Sequence, residues 1–315
     1  MKEGKRIVLV TGANGFVGRH VSPVLSRDGW TVRRAVRLPS GSGDEVLIDS
    51  IGPATDWSAK LAGVDAILHL AARVHHPREE QAGDLYRSIN TEGTLHLARC
   101  AASAGVKRFV YVSTILVNGS STDGRAPFRE GDKPVPRGVY GISKAEAEAG
   151  LEKIADLSSM QISVVRPPLI YGPGVAGNFR QLVKAVRLGM PLPLGSIRNR
   201  RAFLGVQNLA SFLSNRLSFD DGKFDVYLVA DREQISTPEF VSRIANAMGK
   251  RAHILPIPIK ALELLLRLKG RPEARDSLVG SMEVDTSKAA STGWSPEFTM
   301  DEGLRMALSL DQVQR

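Results

Sequence analysis

Five short runs of apolar, largely β-branched residues recur through the first two-thirds of the chain, at Ile7–Val10, Val32–Val36, Ala66–Leu70, Arg108–Ser113 and Ile162–Arg166. Stretches with a 3.6-residue apolar period, such as Thr91–Ala104 and Lys144–Ala155, lie among them. Runs that are apolar without alternation belong to strands buried on both faces, and strand alternating with helix builds βαβ units. The expected fold is α/β, a doubly wound parallel sheet covered by helices. Gly41-Ser42-Gly43 marks a turn before a further strand near Val46–Ile48.

After Arg166 the character changes. Prolines and glycines cluster over Pro167–Gly177 and Gly189–Gly195, and the later elements are short. A strand is expected near Val226–Ala230, with helices near Pro238–Met248 and Ile259–Leu268 and a last one from Met300. The chain therefore reads as a sheet domain over residues 1–166 and a smaller α/β portion over 167–315. That second portion covers the sheet's ligand-binding edge, with some crossover back to the sheet.

Composition excludes several classes. No apolar run reaches the roughly 20 residues that span a bilayer, and the apolar segment after Lys5-Arg6 is too short for a secretory leader. A cytoplasmic enzyme without a membrane partner is expected. The single cysteine, Cys100, rules out an internal disulfide and reads as packing within a helix. The net charge of +9 invites a nucleic-acid reading. The basic residues look scattered rather than striped, so a solvated basic surface or a cleft for small anions is expected instead.

Directly after the first strand comes Thr11-Gly12-Ala13-Asn14-Gly15-Phe16-Val17-Gly18. Gly12 suits the tight turn, Gly15 lets backbone approach a pyrophosphate, and Gly18 permits close packing of the helix that follows. That helix would aim its N-terminus at the phosphates. Strand, glycine turn and helix in this order read as the phosphate loop of a Rossmann-type, dinucleotide-binding domain. An acid ending the second strand would favour NAD, and an arginine NADP. The strand reads Thr31-Val32-Arg33-Arg34-Ala35-Val36-Arg37. Arg37, supported by Arg34, is the candidate for a 2′-phosphate, unless both arginines only cap a strand edge. NADP(H) is favoured and NAD(H) allowed.

Tyr140-Gly141-Ile142-Ser143-Lys144 opens a helical stretch, and the i, i+4 spacing stacks Tyr140 and Lys144 on one face. A tyrosine titrates near ~10. The nearby ammonium and an oxidised nicotinamide are expected to lower that value and make Tyr140 an acid–base group. Thr114, ending the preceding strand, is placed to hydrogen-bond the same substrate oxygen.

With these motifs in place, the chain resembles the extended short-chain dehydrogenase/reductases of the NAD-dependent epimerase/dehydratase family. The likeness runs through the Gly12–Gly18 loop, Asp65-Ala66-Ile67-Leu68-His69-Leu70-Ala71-Ala72 and Asn90-Thr91-Glu92-Gly93-Thr94. It continues through Tyr140/Lys144, Arg166-Pro167-Pro168, Tyr171-Gly172-Pro173-Gly174 and Gly293-Trp294-Ser295-Pro296. The resemblance implies that Leu70, Ala71 and Ala72 line the ribose–nicotinamide side and that Asp49 meets the adenine. It also implies that Pro168 approaches the carboxamide. For a nucleotide-sugar substrate it implies Asn178 and Arg201 on the diphosphate, although Arg201 also suits a surface ion pair. Arg275 is a weaker second arginine. His75 would line the substrate pocket; a metal site at His75-His76 is disfavoured, because adjacent histidines do not converge on one ion. A homodimer through the helices near Thr91 and Lys144 is implied as well.

Within such a family, dehydration needs an acid–base pair after the threonine, and here Ile115-Leu116 follow. Reduction of a UDP-4-keto-hexose at C4 is the leading expectation, specifically a 2-acetamido-2,6-dideoxy sugar for surface polysaccharide. UDP-hexose 4-epimerisation is the alternative. A non-catalytic cofactor sensor is the remote one, since Tyr140 and Lys144 are both retained.

Overall fold

In a computed structural model of the chain, residues 5–74, 83–219, 222–268 and 274–309 are described. The order of elements is β1 (Arg6–Thr11), α1 (Phe16–Arg27), β2 (Trp30–Val36), β3 (Glu45–Leu47), β4 (Ala66–His69), α2 (Gly83–Tyr86), a π-helical turn (Arg87–Gly93) and α3 (Thr94–Ser103). Then come β5 (Arg108–Val112), α4 (Gly138–Asp156), β6 (Gln161–Arg166), β7 (Leu169–Tyr171), α5 (Asn178–Arg187) and β8 (Phe203–Gly205). The chain continues with α6 (Val206–Ser218), β9 (Phe224–Leu228), α7 (Thr237–Ala247) and α8 (Ile259–Leu268). It closes with α9 (Ala274–Leu278), α10 (Ser287–Ser291) and α11 (Met300–Ser309).

Two units divide these elements. The first comprises Met1–Val117, Lys133–Pro167 and Leu209–Leu228. It holds a seven-stranded sheet of order β3-β2-β1-β4-β5-β6-β9 in which every pairing is parallel. Val8, Leu9 and Val10 are all fully buried, so β1 is covered on both faces. On one face Leu9, Ile67, Phe109, Ile162 and Val164 pack with Leu97 and Ala101 of α3 and with Ala147, Leu151 and Ala155 of α4. The expected doubly wound parallel sheet is what the chain forms. Strand order reverses between β1 and β4, and in open α/β sheets ligands bind beyond the carboxyl ends at such a switch point. The chain places its glycine loop there.

The second unit comprises Asn118–Asp132, Pro168–Asn208 and Val229–Arg315. Its core joins Phe179, Val183, Phe203, Phe240, Ile244 and Leu304 around Tyr171. The Phe203 and Phe240 rings stack with centroids 3.9 Å apart. The Tyr171 hydroxyl donates to Asp231 (2.7 Å), which also accepts from the Gly205 amide and from Asn208. The β7–β8 pair, too short to leave a sequence signal, is held at its end by this network.

Candidate active site

The glycine loop follows β1 without a break. Gly12 sits at φ +69°, where L-residues are strained, and a methyl there would come within 2.8 Å of the Ala71 amide nitrogen. Gly12 is thus required twice, by its turn and by its contact with the segment after β4. A methyl at Gly18 would overlap the carbonyls of Gly12 and Ala13, so close packing of α1 on the loop excludes any larger residue. The Gly15 amide donates to the Gly12 carbonyl (2.9 Å) and closes the turn. Gly15 caps α1 without a side-chain hydrogen bond. The first amides of α1, from Phe16 to Gly18, have no acceptor within their own helix. A loop without bulk before a helix start without a side-chain cap fits a dinucleotide phosphate.

A histidine latch sets the loop's partner segment. His69 ends β4, fully buried, with Nδ1 hydrogen-bonded to the Thr11 hydroxyl (2.6 Å) and Nε2 to the Thr94 hydroxyl (2.9 Å). Thr11 Oγ1 accepts from the Ala71 amide as well (3.2 Å), so one side chain joins the ends of β1 and β4. Burial first, and then the Lys144 charge, push the His69 pKa down to about 3. The ring is neutral in the folded protein and titrates near ~6.5 once exposed. The unfolded chain therefore binds the extra proton between these values, and stability from this group falls as pH drops from about 6.5 to about 3. Melting curves across that range are expected to show a shallower pH slope for His69→Gln than for the wild type.

Asn90 lies in the π-helical turn and clamps the backbone after Ala72. Its Oδ1 accepts from the Arg73 amide (2.8 Å), while Nδ2 donates to the Arg73 carbonyl and to Ser143 Oγ (both 3.0 Å). Thr91 donates to the Ser143 carbonyl (2.8 Å). These two contacts join the π turn to α4 beside Lys144. His69 and Asn90 both stand in quoted motifs, yet their roles depend on partners far away in sequence.

Tyr140 and Lys144, two of the residues expected to handle the proton, are set by α4, and the segment after β5 that carries Thr114 packs on its first turn. Gly141 lets the first turn of α4 approach a short helical turn at Ile115–Val117, since a methyl there would lie 3.2 Å from the Leu116 carbonyl. Arg137 and Val135 donate backbone hydrogen bonds to Leu116 and Val117, fixing the approach to that helix. Thr114 Oγ1 accepts from the Leu116 amide (3.3 Å), which leaves its own O–H as the donor. Ser113, next to it, instead donates to Glu148. Of the Ser113-Thr114 pair, Ser113 donates its hydroxyl proton to the interior, whereas the Thr114 hydroxyl accepts from the Leu116 amide and donates to no group among the described residues.

Lys144 is buried, donates to the Val112 carbonyl (2.9 Å) and lies 4.4 Å from the Tyr111 ring centre and 5.9 Å from that of Tyr140. Burial lowers its pKa to about 7, against the opposing pull of Glu148. The expected lowering of Tyr140 is corrected here. Burial pushes the phenol up to about 12, with Tyr86 adding to the shift. The protein's own groups keep Tyr140 protonated.

Behind this trio Arg166 and Glu148 form a buried ion pair, with Nε–Oε distances of 3.1 Å and an Nη2–Oε2 distance of 2.5 Å. Glu148 stands one helical turn after Lys144 and also accepts from Ser113.

Other expected positions separate into two groups. Arg37 and Asp49 follow the ends of neighbouring strands, joined by the Ile48 amide to the Val36 carbonyl, and both are exposed. Arg34 does not support Arg37, because its guanidinium is held by Asp44 (2.8 Å) and Glu45 (3.2 Å). Pro168 opens the second unit. Within that unit Asn178 begins α5 and is exposed. Arg201 donates to the carbonyls of Asp276 (2.9 Å) and Gly280 (2.6 Å), and burial lowers its pKa to about 10. It is thus anchored by carbonyls rather than by an ion pair. Arg275, the weaker second arginine, is bound to Glu263 (2.7 Å) and Asp276 (3.2 Å). His75 lies outside the described residues. Among the described residues no cluster of histidine, cysteine, aspartate or glutamate could hold a metal ion, and no helix is long and apolar enough to cross a membrane.

Residues 8–230 match the NAD dependent epimerase/dehydratase family. The chain belongs to that family. It is 37% identical to a UDP-glucose 4-epimerase of Vibrio cholerae, over 95% of this chain and 93% of the relative. It is 25% identical to the N-acetyl-alpha-D-glucosaminyl-diphospho-ditrans,octacis-undecaprenol 4-epimerase of Escherichia coli O157:H7, over 97% of this chain and 95% of the relative. Among solved structures it is similar to RMD from Pseudomonas aeruginosa complexed with NADPH, with a TM-score of 0.74 and 26% identity, covering 98% of this chain and all of that one. Its relatives include epimerases and reductases, and this chain is an enzyme of that kind on the Rossmann-type fold seen here.

Proposed function

We propose that the enzyme is an NADPH-dependent reductase acting at C4 of a UDP-linked 4-keto-hexose, specifically a 2-acetamido-2,6-dideoxy sugar destined for surface polysaccharide. The observation that carries this reading is the end of β2. Arg37 stands exposed where an NAD enzyme of this fold would have an acid; Asp44 and Glu45 are engaged by Arg34, and Asp49, after the neighbouring strand, is the acid that meets the adenine. The raised pKa of Tyr140 supports the same direction, because a reductase needs its proton donor charged with a proton at the start.

When bound, the dinucleotide supplies a hydride with its electron pair to the carbonyl carbon. The amides of Phe16, Val17 and Gly18, with Asn14 beside them, hold its pyrophosphate, and Arg37 takes the 2′-phosphate. Leu70, Ala71 and Ala72 line its nicotinamide side, Asp49 meets the adenine, and Pro168 approaches the carboxamide. Tyr140 passes its phenolic proton to the carbonyl oxygen as that oxygen gains charge. Thr114 donates a hydrogen bond to the same oxygen, and Lys144 stabilises the phenolate left behind. Asn178 and Arg201 grip the substrate diphosphate.

A second reading, UDP-hexose 4-epimerisation with retained NAD, is favoured by the Vibrio cholerae relative. The cofactor state of the purified protein separates the two. A reductase is expected to carry little dinucleotide and to oxidise added NADPH only when a UDP-4-keto-hexose is present. Stoichiometric NAD that survives dialysis, with interconversion of UDP-sugar epimers, would overturn the reductase reading. Arg37→Asp is expected to raise KM for NADPH roughly tenfold or more, the scale of one charge-assisted hydrogen bond. KM for NADH should change little.

A further inference from the structure

The positive charge of the chain is less scattered than composition alone implies. No acid occurs between Asp156 and Asp220, and none between Glu239 and Glu263. The second unit pairs parts of these two acid-free stretches. The Leu192 amide donates to the His253 carbonyl, the Leu255 amide to the Leu192 carbonyl and the Gly195 amide to the Leu255 carbonyl, at 2.8–2.9 Å. Lys250 Nζ reaches the Arg187 carbonyl at 2.7 Å. The end of α5 and its following turn therefore lie beside residues 250–256.

Register decides which side chains face outward. Leu192 and Ile254 form a parallel bridge and pack against the unit's core, so their neighbours Pro191 and Leu255 point the other way. Leu188 is 63% exposed, Met190 50% and Leu255 45%. On α8 Leu262 is buried while Leu264, 58% exposed, stands on the outer side with Lys260 one turn before it. Four large apolar side chains thus protrude from elements that also carry Arg180, Lys184, Arg251 and Lys260. Each of these four cations is exposed, and none has an ion-pair partner among the described residues. The acid next in sequence, Glu263, is occupied by Arg275.

We propose that this face of the second unit, formed by the end of α5, residues 188–191, 250–256 and the start of α8, docks on the surface of an anionic lipid bilayer. Protruding leucine and methionine gain from the acyl boundary, while unpaired lysines and arginines gain from anionic headgroups. A nucleic acid would reward the cations alone, and among the described residues this face offers a single exposed imidazole, His253, rather than a platform of aromatic rings for base stacking. The binding is peripheral and reversible. It is independent of the reaction proposed above, because docking is read without turnover.

The test is flotation of the full chain with vesicles of phosphatidylethanolamine and phosphatidylglycerol, compared with phosphatidylcholine alone. The protein is expected to float with the anionic vesicles, to be released by high salt and to ignore neutral ones. Leu188→Ser with Met190→Ser, and separately Lys184→Glu with Arg251→Glu, should each lower the bound fraction at least tenfold. Their melting temperatures and their kcat/KM on soluble substrate should stay at wild-type values. No flotation with anionic vesicles at low salt would overturn the proposal, as would equal binding by wild type and both variants. Sedimentation velocity adds a further check. A change of oligomer mass in the Leu188/Met190 variant, without vesicle binding by the wild type, would assign the face to a second copy instead.

Discussion

Tyr140→Phe is expected to lower kcat by roughly 10²- to 10⁴-fold, the scale of a positioned general acid. The substitution removes one hydroxyl from a half-buried ring at the start of α4. The contacts that fix that helix lie elsewhere, in Gly141 against Leu116 and in Thr91 and Asn90 against Ser143. The melting temperature and the affinity for dinucleotide should therefore hold near wild type while turnover collapses. NADPH consumption measured with a UDP-4-keto-hexose, beside a thermal melt, checks both halves. Unchanged turnover would remove Tyr140 from the chemistry, whatever the substrate.

Arg166→Met is expected to cost about 3–5 kcal/mol of folding stability, the typical penalty for stranding one member of a buried ion pair. The Glu148 carboxyl would be left in the interior with only the Ser113 hydroxyl in place of three guanidinium contacts. Adding Glu148→Leu should restore most of the loss, because an apolar pair of similar volume leaves no charge uncompensated. Urea unfolding of the wild type, both single variants and the double variant forms the cycle. A double variant whose loss equals the sum of the two single losses would show that the pair is not coupled. The same variants bear on activity, since Ser113 adjoins Thr114 and Glu148 adjoins Lys144 by one helical turn.

Much of the fold was legible because its strands are continuous apolar runs. The edges moved where mixed polarity hides them. β9 starts at Phe224, two residues before its apolar run, because Phe224 and Asp225 pair with Ile162 and Ser163 at the sheet's end. α4 starts at Gly138, ahead of any apolar period, so Tyr140 lies within its first turn. The glycine loop and Tyr140/Lys144 could be read because each motif is local. The His69 latch and the Glu148–Arg166 pair could not, since their partners come from 18 to 58 residues away. The basic candidates show the same limit. Arg34 and Arg275 read from sequence as ligands for phosphate, and their ion pairs with Asp44, Glu45 and Glu263 could not be read there.

The π-helical turn has a consequence for how this chain tolerates change. From Gly83 to Ser103 the backbone is helical throughout, with Tyr86 and Thr94 both at right-handed helical angles on either side of the turn. The wider turn retards the helix phase at Asn90. An ordinary helix advances about 100° per residue. Deleting one residue there would let the helix rewind, and the amide at position 90 would swing away from the Arg73 backbone and from Ser143. Substitutions along this helix change one contact at a time. A change in residue count would dephase every contact downstream at once, so this segment is constrained in length more tightly than in composition.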